Sequence, residues 1–144
     1  MRRAGIKFVL TNGVFDLLHP GHRHYLRQAG RRGQVFVALN SNASVRLLKG
    51  KDRPIQGEQE RARQLARLPM VKGIVIFRKK RLTRQILRLR PDVYVKAGDY
   101  TLKKLDPAER AALQKVGARI EFLPFLPGHS TTRLVATMRA RPAT

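Results

Sequence analysis

Thr11-Asn12-Gly13-Val14-Phe15-Asp16-Leu17-Leu18-His19-Pro20-Gly21-His22 decides the reading of this chain. It follows the apolar run Phe8-Val9-Leu10, which reads as a buried strand ending in a turn around Asn12-Gly13. Pro20 opens the helix expected over 20–31, at a first-turn position where its missing N–H costs nothing. Two histidines three residues apart at that helix start can point to one side. The helix start also offers unpaired N–H groups and the positive end of a dipole, a ready anion site. Gly21 carries no side chain to obstruct close approach. Two imidazoles beside such a site can donate hydrogen bonds to charge building on a phosphorus in transit. Taken without their surroundings, the same residues also fit a cap at His19 with a surface His22. A zinc site is a further reading, though no carboxylate or third histidine has an obvious claim on it, and no metal ligand is assigned.

Outward from this stretch, short apolar runs alternate with helix-length segments. Strands are expected at Val35–Leu39, Ile74–Phe77, Val93–Val95 and Ile120–Leu123. Helices are expected over 44–48, 58–68, 81–90, 107–116 and 130–138. In the fourth of these Asp106 is the N-cap, Pro107 follows, Glu109 completes a capping box and Gly117 is the stop. Strand and helix alternating every ~20–30 residues predicts an α/β fold: a Rossmann-like parallel five-stranded sheet with helices on both faces, in one domain with its core over about 6–138. Such sheets bind ligands at the carboxyl ends of their strands. The segments to watch are therefore Thr11–His22, Asn40–Ser44, Arg78–Arg81, Lys96–Tyr100 and Pro124–Thr132.

Composition excludes several classes. The 144 residues include no cysteine, which rules out disulfides, cysteine-ligated zinc and a thiol nucleophile. The apolar runs are strand-sized, far short of the ~18 residues of a spanning helix. The N-terminus does not read as a signal peptide, so a cytoplasmic protein is expected. Lys plus Arg number 31 against 9 Asp plus Glu, a formal net charge of +22. That balance calls for anionic partners: nucleic acid, acidic lipid or phosphorylated small molecules.

The pattern G-x-F-D-x-x-H-x-G-H directly after a buried strand resembles the signature of the cytidylyltransferase-like nucleotidyltransferases. The resemblance extends from Phe8 to about Met138. Within that superfamily the chain looks most like the nucleotidyltransferase domain of bacterial ADP-heptose synthases. The similar stretches are Thr11-Asn12-Gly13 with Phe15-Asp16, Val37-Ala38-Leu39-Asn40-Ser41, Leu48-Lys49-Gly50 with Arg53-Pro54, Val95-Lys96-Ala97-Gly98-Asp99-Tyr100, and Gly128-His129-Ser130-Thr131-Thr132.

The resemblance implies transfer of AMP from ATP to a sugar 1-phosphate, in the heptose branch D-glycero-β-D-manno-heptose 1-phosphate, with release of pyrophosphate and with Mg²⁺ on the triphosphate. It implies catalytic roles for His19, His22 and Lys49. Nucleotide contacts fall on Thr11, Asn12, Gly13, Val14, Phe15, Gly21, Lys96, Gly98, Asp99, Ser130, Thr131 and Thr132. Substrate contacts fall on Asn40, Asn42, Arg53 and Arg61. It also implies a role in the bacterial envelope and admits a homodimer, which +22 per chain opposes.

Two departures bear on the acceptor. Asn42 stands where the heptose branch usually has Asp, and Arg78-Lys79-Lys80-Arg81 stands where that branch is acidic. Two rival readings follow. One is a glycerol-3-phosphate cytidylyltransferase-like enzyme, although Leu126-Pro127-Gly128-His129 lacks the Arg of that branch's last motif. The other is a nucleic-acid-binding protein on the same scaffold, which would dispense with His19 and His22.

Overall fold

In the strand Phe8–Gly13 (β1), Val9 and Leu10 are both buried, because successive side chains of a central strand enter opposite faces of the sheet. The computed structural model describes residues 5–50, 52, 54–78, 82–97 and 105–123. Four further strands are Gln34–Asn40 (β2), Val71–Phe77 (β3), Val93–Ala97 (β4) and Arg119–Leu123 (β5). The sheet order is β3-β2-β1-β4-β5, and every pairing is parallel, as the alternation of elements predicts. Helices are Pro20–Gly30 (α1), Asn42–Lys49 (α2), Glu58–Ala66 (α3), Thr83–Leu89 (α4) and Pro107–Lys115 (α5).

Two apolar layers sandwich the sheet. Tyr25, Leu26 and Ala29 of α1 and Leu65 of α3 pack on Val9, Val35, Val37 and Val95. Ile86 of α4 and Ala112 and Leu113 of α5 pack with Leu10, Ala38 and Tyr94 on the other face. The order reverses at β1: β2 and β3 lie on one side of it, and β4 and β5 on the other. The crevice for a ligand opens there, beyond the carboxyl ends of β1 and β4.

Three local readings change. The turn expected at Asn12-Gly13 is strand instead: the ladder with β2 continues to Gly13 opposite Leu39 and holds the dipeptide extended. The second helix starts at Asn42 rather than 44, because Ser41 is its N-cap and accepts Ser44 N–H at 3.1 Å. At α5, Asp106 caps as expected, accepting Glu109 N–H at 3.0 Å, but the Glu109 carboxylate takes Leu82 N–H at 2.8 Å, at the start of α4. The helix expected over 130–138 lies outside the described residues.

Candidate active site

α1 begins directly beyond the carboxyl end of β1, and its first turn is made by the two histidines. His19 is the N-cap: its Nδ1 accepts His22 N–H at 3.2 Å, and His22 Nδ1 accepts His19 N–H at 3.4 Å. This is a capping box built from imidazoles in place of hydroxyl and carboxylate. The rings stack, with centroids 3.6 Å apart and planes inclined by 20°. Phe15 meets His22 edge-on at 5.3 Å. His22 is 2% exposed, so the reading of a surface His22 fails while the capping role of His19 holds.

The cap also fixes the chemistry of the rings. An imidazole nitrogen that accepts a hydrogen bond carries no proton, so the neutral form of each ring holds its proton on Nε2. Both histidines are thereby set as Nε2–H donors. In the same first turn Pro20 has no N–H and His22 N–H is capped. Gly21 N–H is left as the amide without a partner among the described residues. The turn carries no acidic residue, so its partial positive charge is uncompensated.

The loop from β1 to α1 is strained and then clamped. Phe15 (φ 50°) and Leu17 (φ 58°) both sit in the left-handed region, which costs bulky residues roughly 1–2 kcal/mol each. Asp16, between them, accepts Ile55 N–H at 2.8 Å and Gln56 N–H at 2.9 Å. Leu17 N–H returns a bond to Gln56 Oε1 at 3.0 Å. Charge-assisted bonds of this kind offset the strain.

Arg61 of α3 completes the clamp. Its Nε donates to Gln56 O at 2.9 Å, and its Nη1 donates to Val14 O at 2.9 Å and Asn40 O at 2.7 Å. Its Nη2 donates to Asn42 Oδ1 at 2.9 Å. The expected substrate contact is thus a fully buried side chain that ties three loops together. Burial pulls the guanidinium pKa below its usual range, and the carboxylates of Asp16 and Glu58 oppose that pull. Asn40 and Asn42 belong to this lattice too: Asn40 Nδ2 donates to Ser44 Oγ at 3.3 Å, and Asn42 N–H donates to Glu58 Oε1 at 2.8 Å.

On the β4 side, Tyr25 Oη donates to Val95 O at 3.0 Å, and its oxygen is paired with the Thr11 hydroxyl. Burial pushes the Tyr25 phenol far above the usual tyrosine range, so it stays a neutral donor. Tyr94 Oη donates to Asn12 Oδ1. Lys96 follows Val95 in β4; burial lowers its pKa, and Glu109 works against that shift.

The fold therefore brings Thr11 through Phe15, His19, Gly21, His22, Asn40, Asn42 and Lys96 to one end of the sheet. Lys49 closes α2. Arg53, Gly98, Asp99, Ser130, Thr131 and Thr132 lie outside the described residues. Asp16, Gln56, Tyr25 and Tyr94, which the sequence reading did not assign, hold this end in shape. Among the described residues no group of three His, Asp or Glu side chains is placed to hold a metal. No helix among them is long and apolar enough to cross a membrane.

A histidine pair of this geometry, on a helix start beside the central strand, invites comparison with known proteins. The profile of the Cytidylyltransferase-like family matches residues 10–136. This chain belongs to the cytidylyltransferase-like family. It is a nucleotidyltransferase domain. It is 47% identical over 135 residues to "Bifunctional protein HldE" of Koribacter versatilis (strain Ellin345), covering 93% of this chain and 27% of that protein. It is 46% identical over 139 residues to the protein of the same name from Geotalea uraniireducens (strain Rf4), covering 96% and 28%. The chain thus spans little more than a quarter of the length of these relatives. Among solved structures, the lipopolysaccharide core biosynthesis protein from Thermoplasma volcanium GSS1 superposes with a TM-score of 0.68 at 27% identity, covering 85% of this chain and 98% of that one. The likeness in fold to that solved structure agrees with the five-stranded parallel sheet of this chain.

Proposed function

We propose that this domain transfers AMP from ATP to a sugar 1-phosphate, with D-glycero-β-D-manno-heptose 1-phosphate as the acceptor. The observation that carries the reading is the His19–His22 pair, cross-capped through Nδ1 so that both rings are set to donate from Nε2. Relatives named HldE, and a structural neighbour named for lipopolysaccharide core biosynthesis, support the heptose acceptor.

In the reaction an oxygen of the sugar phosphate attacks the α-phosphorus of ATP. A new P–O–P bridge forms, the α–β bridging bond breaks, and pyrophosphate leaves with the electron pair. A phosphate oxygen is already ionised at neutral pH, so no strong base is required. Catalysis rests on positioning and on neutralising the charge of the α-phosphate. The two Nε2–H donors and the open Gly21 N–H suit that charge, and the buried Arg61 lattice keeps the loop in register. Lys96 adds positive charge from the β4 side.

Mg²⁺ bound with the triphosphate supplies further charge neutralisation on the leaving pyrophosphate. Both carboxylate oxygens of Asp16 are engaged by backbone amides. That donor set fits a cation that arrives on the nucleotide's own oxygens better than one held in a protein cage.

The reading is tested by pyrophosphate release with Mg²⁺, crossing ATP and CTP against heptose 1-phosphate, other sugar 1-phosphates and glycerol 3-phosphate. Turnover is expected with ATP and the heptose phosphate. Preference for CTP with glycerol 3-phosphate would replace the proposal by a cytidylyltransferase. Silence in every pair, with tight salt-sensitive binding to nucleic acid, would replace it by the binding-protein reading.

A further inference from the structure

A cavity of about 600 Å³ opens between the end of β3 and α4, and no residue of the histidine loop lines it. Arg78, at the end of β3, and Arg84 and Arg88 of α4 line it. Carboxylates are scarce in this chain, and the ion pairs among the described residues are made by Arg32 and Arg119 with Glu121, at 2.8 and 3.3 Å, and by Arg63 with Glu60 at 3.7 Å. Arg78, Arg84 and Arg88 find none among the described residues. Arg84 and Arg88 are one helical turn apart, where like charges repel each other. The same wall holds two polar atoms that are shielded from solvent and have no hydrogen-bond partner among the described residues, Thr83 Oγ1 and Gln85 Oε1. Rotation of the Gln85 amide exchanges its oxygen for its NH₂, so this wall can present donors as readily as acceptors.

Shielded polar atoms normally find partners, and three uncompensated guanidinium groups around one hollow make a strong field for an anion. We infer that this cavity is a second ligand site, separate from the histidine cleft, that takes a phosphorylated small molecule. Its volume falls within the range of small-molecule sites and admits a sugar phosphate or a mononucleotide. Leu87, 39% exposed on the same wall, offers an apolar surface for the body of such a ligand. A nucleic-acid strand fits the hollow less well. Among the described residues that line it the one aromatic side chain, Phe77, is buried in the core and gives bases no platform on which to stack.

The site is also mechanically connected to the catalytic loop. Phe77 O accepts Ser41 N–H at 2.9 Å; Ser41 follows Asn40, whose carbonyl shares Arg61 Nη1 with Val14.

The test is ¹H–¹⁵N NMR titration of the intact chain with pyrophosphate, a hexose phosphate and AMP in turn, at constant ionic strength. The comparison is a double variant, Arg84→Gln with Arg88→Gln, whose side chains are exposed and support no packing. The expected result is a saturable shift of the amides over 77–78 and 83–88. That shift should need at least tenfold more ligand in the double variant, while shifts around Gly21–Tyr25 remain. Which probe saturates at the lowest concentration distinguishes a free phosphate from a sugar or nucleotide ligand. Shifts spread evenly over the basic surface, or unchanged in the double variant, would overturn the inference. So would an oligonucleotide that outcompetes all three probes at these residues.

Discussion

His19 Nδ1 accepts the backbone N–H of His22 at 3.2 Å, while His22 Nδ1 accepts that of His19 at 3.4 Å. One reciprocal contact thus caps a helix, stacks two rings and selects the tautomer of both. Cap and donor are two nitrogens of the same ring, so replacing either histidine touches both, and the variants must be chosen to separate them.

Asparagine is as good an N-cap as any residue but offers no imidazole Nε2–H. His19→Asn should keep the helix start, with a thermal midpoint within about 2 °C of the parent, since an equivalent cap changes stability by only a few tenths of a kcal/mol. Turnover should fall by about 10²–10³-fold, the usual loss for one donor to a developing oxyanion. His19→Ala should lose a comparable amount of activity and, in addition, about 1 kcal/mol of stability. Calorimetry beside a pyrophosphate-release assay separates the two effects. Equal midpoints for the two variants would show that the cap contributes nothing.

Arg61→Met should leave the carbonyls of Val14, Asn40 and Gln56 without their donor. Breaking a buried charged network from one side costs about 3–5 kcal/mol, so urea unfolding should show a loss of that order. Arg61→Lys, with a point charge in place of a fork, should recover only part of it. If Arg61 acted on substrate alone, the midpoint would hold and only KM would move.

Asp16→Asn should relax the left-handed backbone at Phe15 and Leu17, because a neutral amide offers one acceptor where the carboxylate offers two. Loss of about 2 kcal/mol is expected, the scale of charge-assisted bonds to backbone amides. Amide exchange at Ile55 and Gln56, which donate to Asp16, should quicken together. Unchanged exchange at both amides would remove Asp16 from the clamp.

Lys96 gives the pH dependence. Burial lowers its pKa from the ordinary 10.5, so the folded chain releases this proton at a lower pH than the unfolded chain does. Between those two values the unfolded state binds more protons, and stability rises with pH. Urea midpoints should therefore climb as the pH approaches 10.5 from below, and less steeply in Lys96→Met. An unaltered slope in the variant would assign the climb to relief of general charge repulsion instead.

The sheet was legible because each strand is an apolar run bounded by polar or turn residues, and because Pro20, Pro107 and Gly117 punctuate the helices in the usual way. The histidine pair was legible from its spacing and its place after β1. Other features were hidden for physical reasons. Asn12-Gly13 has turn chemistry, but the parallel ladder to β2 and the bond from Tyr94 to Asn12 hold it extended. The resemblance names Arg61 as a substrate contact and does not foretell its burial as a clamp. The available signal was its i,i+4 relation to Leu65, which puts both on the buried face of α3. Asp16 and Gln56 are 40 residues apart, and no local pattern pairs them.

The most direct test is to follow label from [α-³²P]ATP and, in parallel, [γ-³²P]ATP into product with heptose 1-phosphate and Mg²⁺, using the parent and His22→Ala. Transfer of a nucleoside monophosphate predicts α-label in the sugar product and γ-label in pyrophosphate, with the rate in His22→Ala reduced at least 100-fold, the loss expected for one transition-state donor. γ-Label in the sugar product, or α-label transferred equally fast by His22→Ala, would contradict the account.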